Sequence, residues 1–567
     1  MVAFAAILVA MLGGCGSSPS GTSASPATVT PATAPLYIDA VVRPEGSLKT
    51  DATSTASALT GRQKPFEGLL KLLQVPAGKT GGRAINYSRE VEPWLGPHAG
   101  VFLSAINLSD AQGLLGGEVL TKALSEGLTG VESALLGHGG PQAVLGSSSA
   151  QGALVLDTTD VAKARSFLEA QAHSAGAHSE SYRGVTYQVS PGGVAEGVVH
   201  RFAVIGSEAG LKSVIETADG GPSLAQASAY AKLTSTAQST NTHPTALANA
   251  YLSPEELARS VKTGSGGESI VPLLEGVLGN PGQLYLSVIP SANAVTIDLD
   301  TLPSAGSSST GALNASGAQV LRGLPGTAWL AAGIGDLGSA LGHNAQGLRA
   351  IAKLASSVSI GSISFGAALA PLSSHALEAQ HDLLSWMGAT GLYVSGSSVL
   401  NLQGAVVITS KDPARSHAAF GKIAQAYREA GAQTSPTSVP GMELADTIKL
   451  PAFPLTLTMA LGQGKFVVGL GPSSVQEAIN PKTTLAGTPV YEAAASALGQ
   501  GIQPSALVEV HTFSGLIESL GLNQAPGFSG FATAVAPLSA VSVGGGEALP
   551  DGVTRARVVI GLQSAEG

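Results

Sequence analysis

Cysteine is all but missing from this chain: one residue in 567, Cys15. Intrachain disulfides and cysteine-based metal sites are thereby excluded. Charge is also sparse, at 12% of residues, and leans acidic, with a formal net charge of −9. Neither a nucleic-acid partner, which needs a basic stripe, nor a polybasic membrane patch fits that balance. Aromatic residues make up only 4%, leaving little material for a stacking platform for sugars or bases. No stretch is long and apolar enough to cross a bilayer core of ~30 Å as a helix.

What is present begins at the N-terminus. The apolar stretch Phe4-Ala5-Ala6-Ile7-Leu8-Val9-Ala10-Met11 runs into Leu12-Gly13-Gly14-Cys15, which resembles the lipobox of bacterial lipoproteins. The resemblance implies a signal peptide over 1–14, cleavage between Gly14 and Cys15, and a diacylglyceryl thioether on the Cys15 thiol. The body would then be anchored by lipid at the extracytoplasmic face of the cell membrane. One departure is plain: no Lys or Arg precedes the apolar run. The alternative is a free cysteine buried in an N-terminal helix. Residues 15–34 continue as a Ser/Thr/Pro-rich segment without charge, expected to be a disordered tether with a reach of roughly 25 Å.

The chain then repeats itself. Glu92-Pro93-Trp94-Leu95-Gly96 followed by Gly100-Val101-Phe102-Leu103 echoes Leu384-Ser385-Trp386-Met387-Gly388 followed by Gly391-Leu392-Tyr393-Val394. Gly152-Ala153-Leu154-Val155-Leu156 echoes Gly404-Ala405-Val406-Val407-Ile408, and Leu36-Tyr37-Ile38 pairs with Ala328-Trp329-Leu330. The preserved order predicts two homologous halves, 35–302 and 326–565, separated by a linker over 303–325. Matched positions draw closer after the Trp block, which assigns the first half a helical insertion near 104–150.

Within each half, β-branched runs alternate with amphipathic stretches. Asp160 and Asp412 stand where a helix N-cap belongs, and Pro413 occupies a first helical turn. Tyr182–Val189 and Val198–Ile205 read as strands joined through Pro191-Gly192-Gly193. The β-α-β-β-α-β order predicts an α+β fold, twice: a mostly antiparallel sheet with helices packed on one face.

Motifs that suggest chemistry weaken on inspection. Gly333-Ile334-Gly335-Asp336-Leu337-Gly338 matches a dinucleotide fingerprint, but no acidic residue follows about 20 positions later to hold a ribose. His138 sits in a Gly-His-Gly-Gly sequence without a nucleophile elbow, to which only Gly527-Phe528-Ser529-Gly530 comes near. The pairs His173/His178 and His375/His381 lack ligand spacing. Glu255 and Glu256 read as a helix first turn. Trp94 and Trp386 read as core plugs. The expectation is no catalytic, cofactor or metal site, with Cys15 as the functional residue and Leu12, Gly13 and Gly14 as its lipobox.

Lipobox, tether and doubled Trp pattern together resemble an uncharacterised family of lipid-anchored envelope proteins of high-GC bacteria whose domain has no known function. The absent catalytic constellation and the low charge density make a non-catalytic surface lipoprotein that binds a protein or cell-envelope component the first expectation. A carrier or sensor of a hydrophobic ligand is the alternative, motivated by a mean hydropathy of +0.27; an unrecognised hydrolase is the third.

Overall fold

The computed structural model describes residues 24–60, 86–105, 151–240, 246–260, 281–303, 315–338, 359–360, 363–364, 385–451, 455–519, 532 and 535–563. Of the expected helical insertion near 104–150, residues 106–150 lie outside them, as do Cys15 and its lipobox, while Ser104 and Ala105 end a strand.

Ten strands come from the first part of the chain: β1 (Leu36–Val41), β2 (Leu95–Ala105), β3 (Gln151–Thr158), β4 (His178–Tyr182), β5 (Val185–Val189), β6 (Val194–Val199), β7 (Phe202–Ser207), β8 (Ala248–Leu252), β9 (Pro281–Pro290) and β10 (Ala294–Pro303). Ten more follow: β11 (Ala328–Ile334), β12 (Met387–Ser395), β13 (Gln403–Ser410), β14 (Gln433–Pro436), β15 (Leu444–Lys449), β16 (Thr456–Gly462), β17 (Lys465–Leu470), β18 (Gln503–Glu509), β19 (Leu538–Ala548) and β20 (Thr554–Leu562). They form one 20-stranded sheet, antiparallel at every pairing. Its order is 4-5-6-7-3-2-1-8-9-10 and then 20-19-18-11-12-13-17-16-15-14. Read from its own outer edge, the second set follows the first strand for strand. The two sets meet where β10 pairs with β20. A separate two-residue pair joins Ser359–Ile360 to Ile363–Ser364.

Among the described residues the α-helices are α1 (Gly46–Thr60), α2 (Val161–Ser174), α3 (Glu208–Ala218), α4 (Ser228–Thr240), α5 (Pro254–Ser260), α6 (Ala315–Arg322), α7 (Pro413–Glu429), α8 (Gly471–Ile479), α9 (Pro489–Leu498) and α10 (Val510–Ser519). Asp160 and Asp412 cap α2 and α7, accepting from the Lys163 and Arg415 backbone N–H groups at 3.0 and 3.1 Å. Ser207 caps α3 through Gly210 N at 3.1 Å.

Helices cover both faces of the sheet, not one. On one side of the first set, Trp94, Leu154 and Leu156 pack with Leu48 of α1, Phe167 of α2 and Leu257 of α5. On the other, Phe102, Ala153 and Val155 pack with Leu211 of α3 and Leu233 of α4. Successive residues of β3 thus enter opposite cores, which is why Gly152–Thr158 is buried at every position and Gly152–Leu156 reads as an unbroken apolar run. The second set divides likewise, with Trp386 and α7 on one side and α6, α8 and α9 on the other.

Three further expectations change. Tyr182–Val189 and Val198–Ile205 are each two strands, broken by the two-residue turns Arg183-Gly184 and His200-Arg201. Arg183 and Gly184 both take positive φ, 46° and 80°, the geometry that matches strand twist in a tight hairpin. Secondly, the linker 303–325 contains α6, whose Ala318 and Leu321 are buried. Gly317 of α6 lies so close to Gly333 of β11 that a Cβ on Gly333 would meet the Gly317 carbonyl oxygen at 2.0 Å. Lastly, the segment 15–34 is not tether throughout. Pro26–Thr28 form a 3-10 turn, and Ala27, Val29 and Ala34 enter the core with Tyr37 and Phe102. These side chains are small, yet they fit because Gly100 beneath them has no Cβ to strike Pro26.

The register also revises one sequence match. Tyr37 stands opposite Phe102, whereas Tyr393, the match of Phe102, stands opposite Ala331. Ala331 therefore occupies the place assigned to Trp329.

Candidate functional site

A buried polar constellation crosses the sheet from β1 to the strands where the two sets join. Asp39, Asn249, Ser287, Asp298 and Arg557 stand directly opposite one another on β1, β8, β9, β10 and β20. Two residues along the same strands, Tyr37, Tyr251, Tyr285, Asp300 and Arg555 form a second row. The period of two places both rows on one face, where Tyr230 of α4 covers the tyrosines edge-on. Its ring lies 6.0, 5.4 and 6.1 Å from those of Tyr37, Tyr251 and Tyr285.

At the seam the charges pair as forks. Arg555 donates from Nε and Nη2 to the two oxygens of Asp300, each at 2.7 Å. Arg557 donates likewise to Asp298 at 2.6 and 2.8 Å, and from Nη1 to the Leu498 carbonyl at 2.9 Å. The side chains of Asp298, Asp300 and Arg555 are at most 2% exposed. Burial pushes the Asp300 carboxyl above its usual range, against the pull of the Arg555 hydrogen bonds and charge. Burial also opposes the charge on Arg555, but its bonds to Asp300 and the charges of Asp300, Asp298 and Glu547 outweigh this and raise its pKa. Each fork matches one carboxylate to one guanidinium across the seam, an arrangement that clamps the strands together.

The tyrosine end differs. Burial raises the hydroxyls of Tyr37 and Tyr285 well above their ordinary value and Tyr251 to about 12. They therefore stay protonated in neutral water. Burial raises Asp39 as well, with His98 acting in the opposite direction. Tyr37 Oη, Asp39 Oδ1 and His98 Nδ1 are buried without a hydrogen bond of good geometry. Nearby, Asp157 accepts from Arg201 Nε at 2.8 Å and from the Ala24 backbone N–H at 3.4 Å. A separate acid, Glu196 on β6, is 3% exposed, and burial alone raises it to about 8. Met459 fills the matching place on β16, opposite Val468 as Glu196 is opposite Ile205.

The residues singled out from the sequence do not converge here. Gly333 serves the contact with α6, and Asp336 pairs with Lys411 at 2.6 Å. Glu255 and Glu256 both bond Arg259 on the exposed side of α5. His173 is an exposed helix-end residue, and His178 contacts Glu180 at 3.2 Å. His138, His375, His381 and Phe528 lie outside the described residues. Trp94 and Trp386 are core plugs, packed on Phe167 at 5.4 Å and Phe466 at 5.1 Å. What the sequence reading missed was the pair of i, i+2 charge patterns, Asp298-Leu299-Asp300 and Arg555-Ala556-Arg557, each on one face of a strand and of opposite sign.

Comparison with known proteins supplies a family. Residues 2–529 match the model of a protein of unknown function, DUF3352. The chain belongs to that family. No curated protein matches this DUF3352 chain. Among solved structures it is similar to two crystal forms of TP0453. Form III is 13% identical with a TM-score of 0.24, covering 50% of this chain and 82% of that one. Form I is 11% identical with a TM-score of 0.23, covering 51% and 82%.

Proposed function

We propose that this DUF3352 chain is a non-catalytic lipoprotein of high-GC bacteria, anchored through Cys15 at the extracytoplasmic face of the cell membrane, where it binds a protein or envelope component. The observation that carries the reading is the lone cysteine, placed directly after an apolar run and Leu12-Gly13-Gly14. A thiolate is the nucleophile that lipid transfer requires. The body is two descendants of one duplicated unit; the matching order of ten strands and the paired Trp plugs support this. Buried charge in the seam is matched guanidinium to carboxylate, which suits a scaffold. The test is mass spectrometry and fractionation of the mature protein. Wild type gains the mass of a diacylglyceryl group at Cys15 and sediments with membranes, and Cys15→Ala releases it. An unmodified Cys15, or a Cys15→Ala variant equally membrane-bound, overturns the proposal.

A second reading, a carrier of a hydrophobic ligand, draws on the positive mean hydropathy and on a recess beside α10. Val510, Ala532, Val535 and Leu538 form its apolar wall, and His511, Ser514 and Glu518 its polar one. Stoichiometric lipid co-purifying with the mature protein would place this reading first.

A further inference from the structure

The segment that follows the lipobox is docked on the body from Ala24, its first described residue. Ala24 donates to Asp157, the Thr30 carbonyl accepts from Leu224 N at 2.7 Å, and Ala32 N donates to the Pro222 carbonyl at 3.0 Å. Pro31 bridges Ser223, and Ala27 and Val29 are buried. The chain is therefore docked on the body from Ala24 onward, not only from near Ala34.

The place of Ala24 on the body is equally defined. Asp157 lies at the end of β3, and that end is tied to its neighbours. Thr159 N donates to the Trp94 carbonyl at 2.8 Å, and Thr158 Oγ1 donates to the Arg201 carbonyl at 2.6 Å. Pro93, Thr159 and His200 are the exposed residues of this end, with Lys163 beside it through its contact with Asp160 at 3.0 Å.

Eight residues, nine backbone steps, separate Cys15 from Ala24. Whatever their conformation, they span at most about 30 Å. That is well short of the distance along the sheet from β3 to the far margin of the second set, fifteen strand spacings or roughly 70 Å at ~4.8 Å each. The leash is shorter than half of the sheet it holds. We propose that the end of the first set formed by Pro93, Thr159, His200 and Lys163 lies against the lipid headgroups, with the second set held away from them. The inference rests on acylation of Cys15. The basic side chains Arg201 and Lys163 at this end pair with Asp157 and Asp160, so the leash, not surface charge, sets the orientation.

Acylated Cys15 leaves the chain without a free thiol, so one introduced cysteine takes a dye selectively. Lys163→Cys labels the near end, and Lys449→Cys, exposed on β15, labels the far set. Each is reconstituted in phosphatidylethanolamine–phosphatidylglycerol vesicles carrying a headgroup acceptor. Energy transfer at least twofold greater from position 163 is expected, as is its marked loss on inserting 20 Gly/Ser residues after Gly21. Equal transfer from both positions, or transfer unchanged by the insertion, overturns the orientation while leaving the anchor intact. Failure of the wild-type protein to float with vesicles removes the lipoprotein reading and the orientation together.

Discussion

Asp298 and Arg557 face each other on the two strands that join the halves of the sheet, 259 residues apart in sequence and bonded at 2.6 and 2.8 Å. The pair binds the β10 margin, which is acidic, to the β20 margin, which is basic. Two copies of either margin would set like charges in contact, so the seam favours joining the two sets of strands to each other over self-pairing of either.

The neighbouring fork gives the clearest stability test. Asp300→Ala leaves the Arg555 guanidinium buried without its bidentate partner and should cost about 3–5 kcal/mol. Replacing both, Asp300→Leu with Arg555→Leu, should cost much less than the single change. Urea denaturation of the three proteins measures the difference.

The plugs Trp94 and Trp386 are at most 1% exposed. Changing either to alanine should lose about 3–5 kcal/mol. The Trp94 variant additionally loses the indole bond to the Glu90 carbonyl at 2.6 Å; none is seen for Trp386. Denaturant midpoints should therefore fall for both.

Glu196 predicts a pH dependence of definite sign. Its carboxyl is raised to about 8 in the folded chain, against about 4.3 when unfolded. The neutral acid is tolerated inside the fold, so its contribution is intact below about pH 4.3. It is lost progressively as pH rises toward about 8. Glu196→Gln should remove that loss, and Glu196→Met, copying Met459, should do so with better packing. The melting temperatures of variant and wild type should diverge from pH 5 to pH 8, in favour of the variant.

Gly100 governs the docking of the N-terminal segment. A Cβ there would stand 2.6 Å from Pro26 Cβ and 2.9 Å from the Tyr37 ring. Gly100→Ala should loosen residues 24–34 first, and limited proteolysis should cut within them several times faster than in wild type.

How much of this was legible beforehand depends on range. Local signals read true: Asp160 and Asp412 as caps, Pro413 in a first turn, Trp94 and Trp386 as plugs. Burial on both faces was written in the unbroken run Gly152–Leu156, but a helix and a sheet can each bury such a run. The hairpin turn at Arg183-Gly184 escaped because Arg is not a usual turn residue. Ser25–Ala34 looked like tether because it is small and uncharged; its fit depends on Gly100, distant in sequence. The seam was hardest. Neither Asp298-Leu299-Asp300 nor Arg555-Ala556-Arg557 signifies anything until the other is set beside it.

The sheet's two outer margins have a consequence for the behaviour of many molecules in one solution. Among the described residues its unpaired edges belong to β4, five residues long, and β14, four residues long. The first carries His178 and Glu180, and the second ends in Pro436, which has no N–H to offer. Short, charged or proline-bearing margins discourage edge-to-edge pairing. Crowding such molecules on a surface should therefore not seed fibres, however much ladder each one contains.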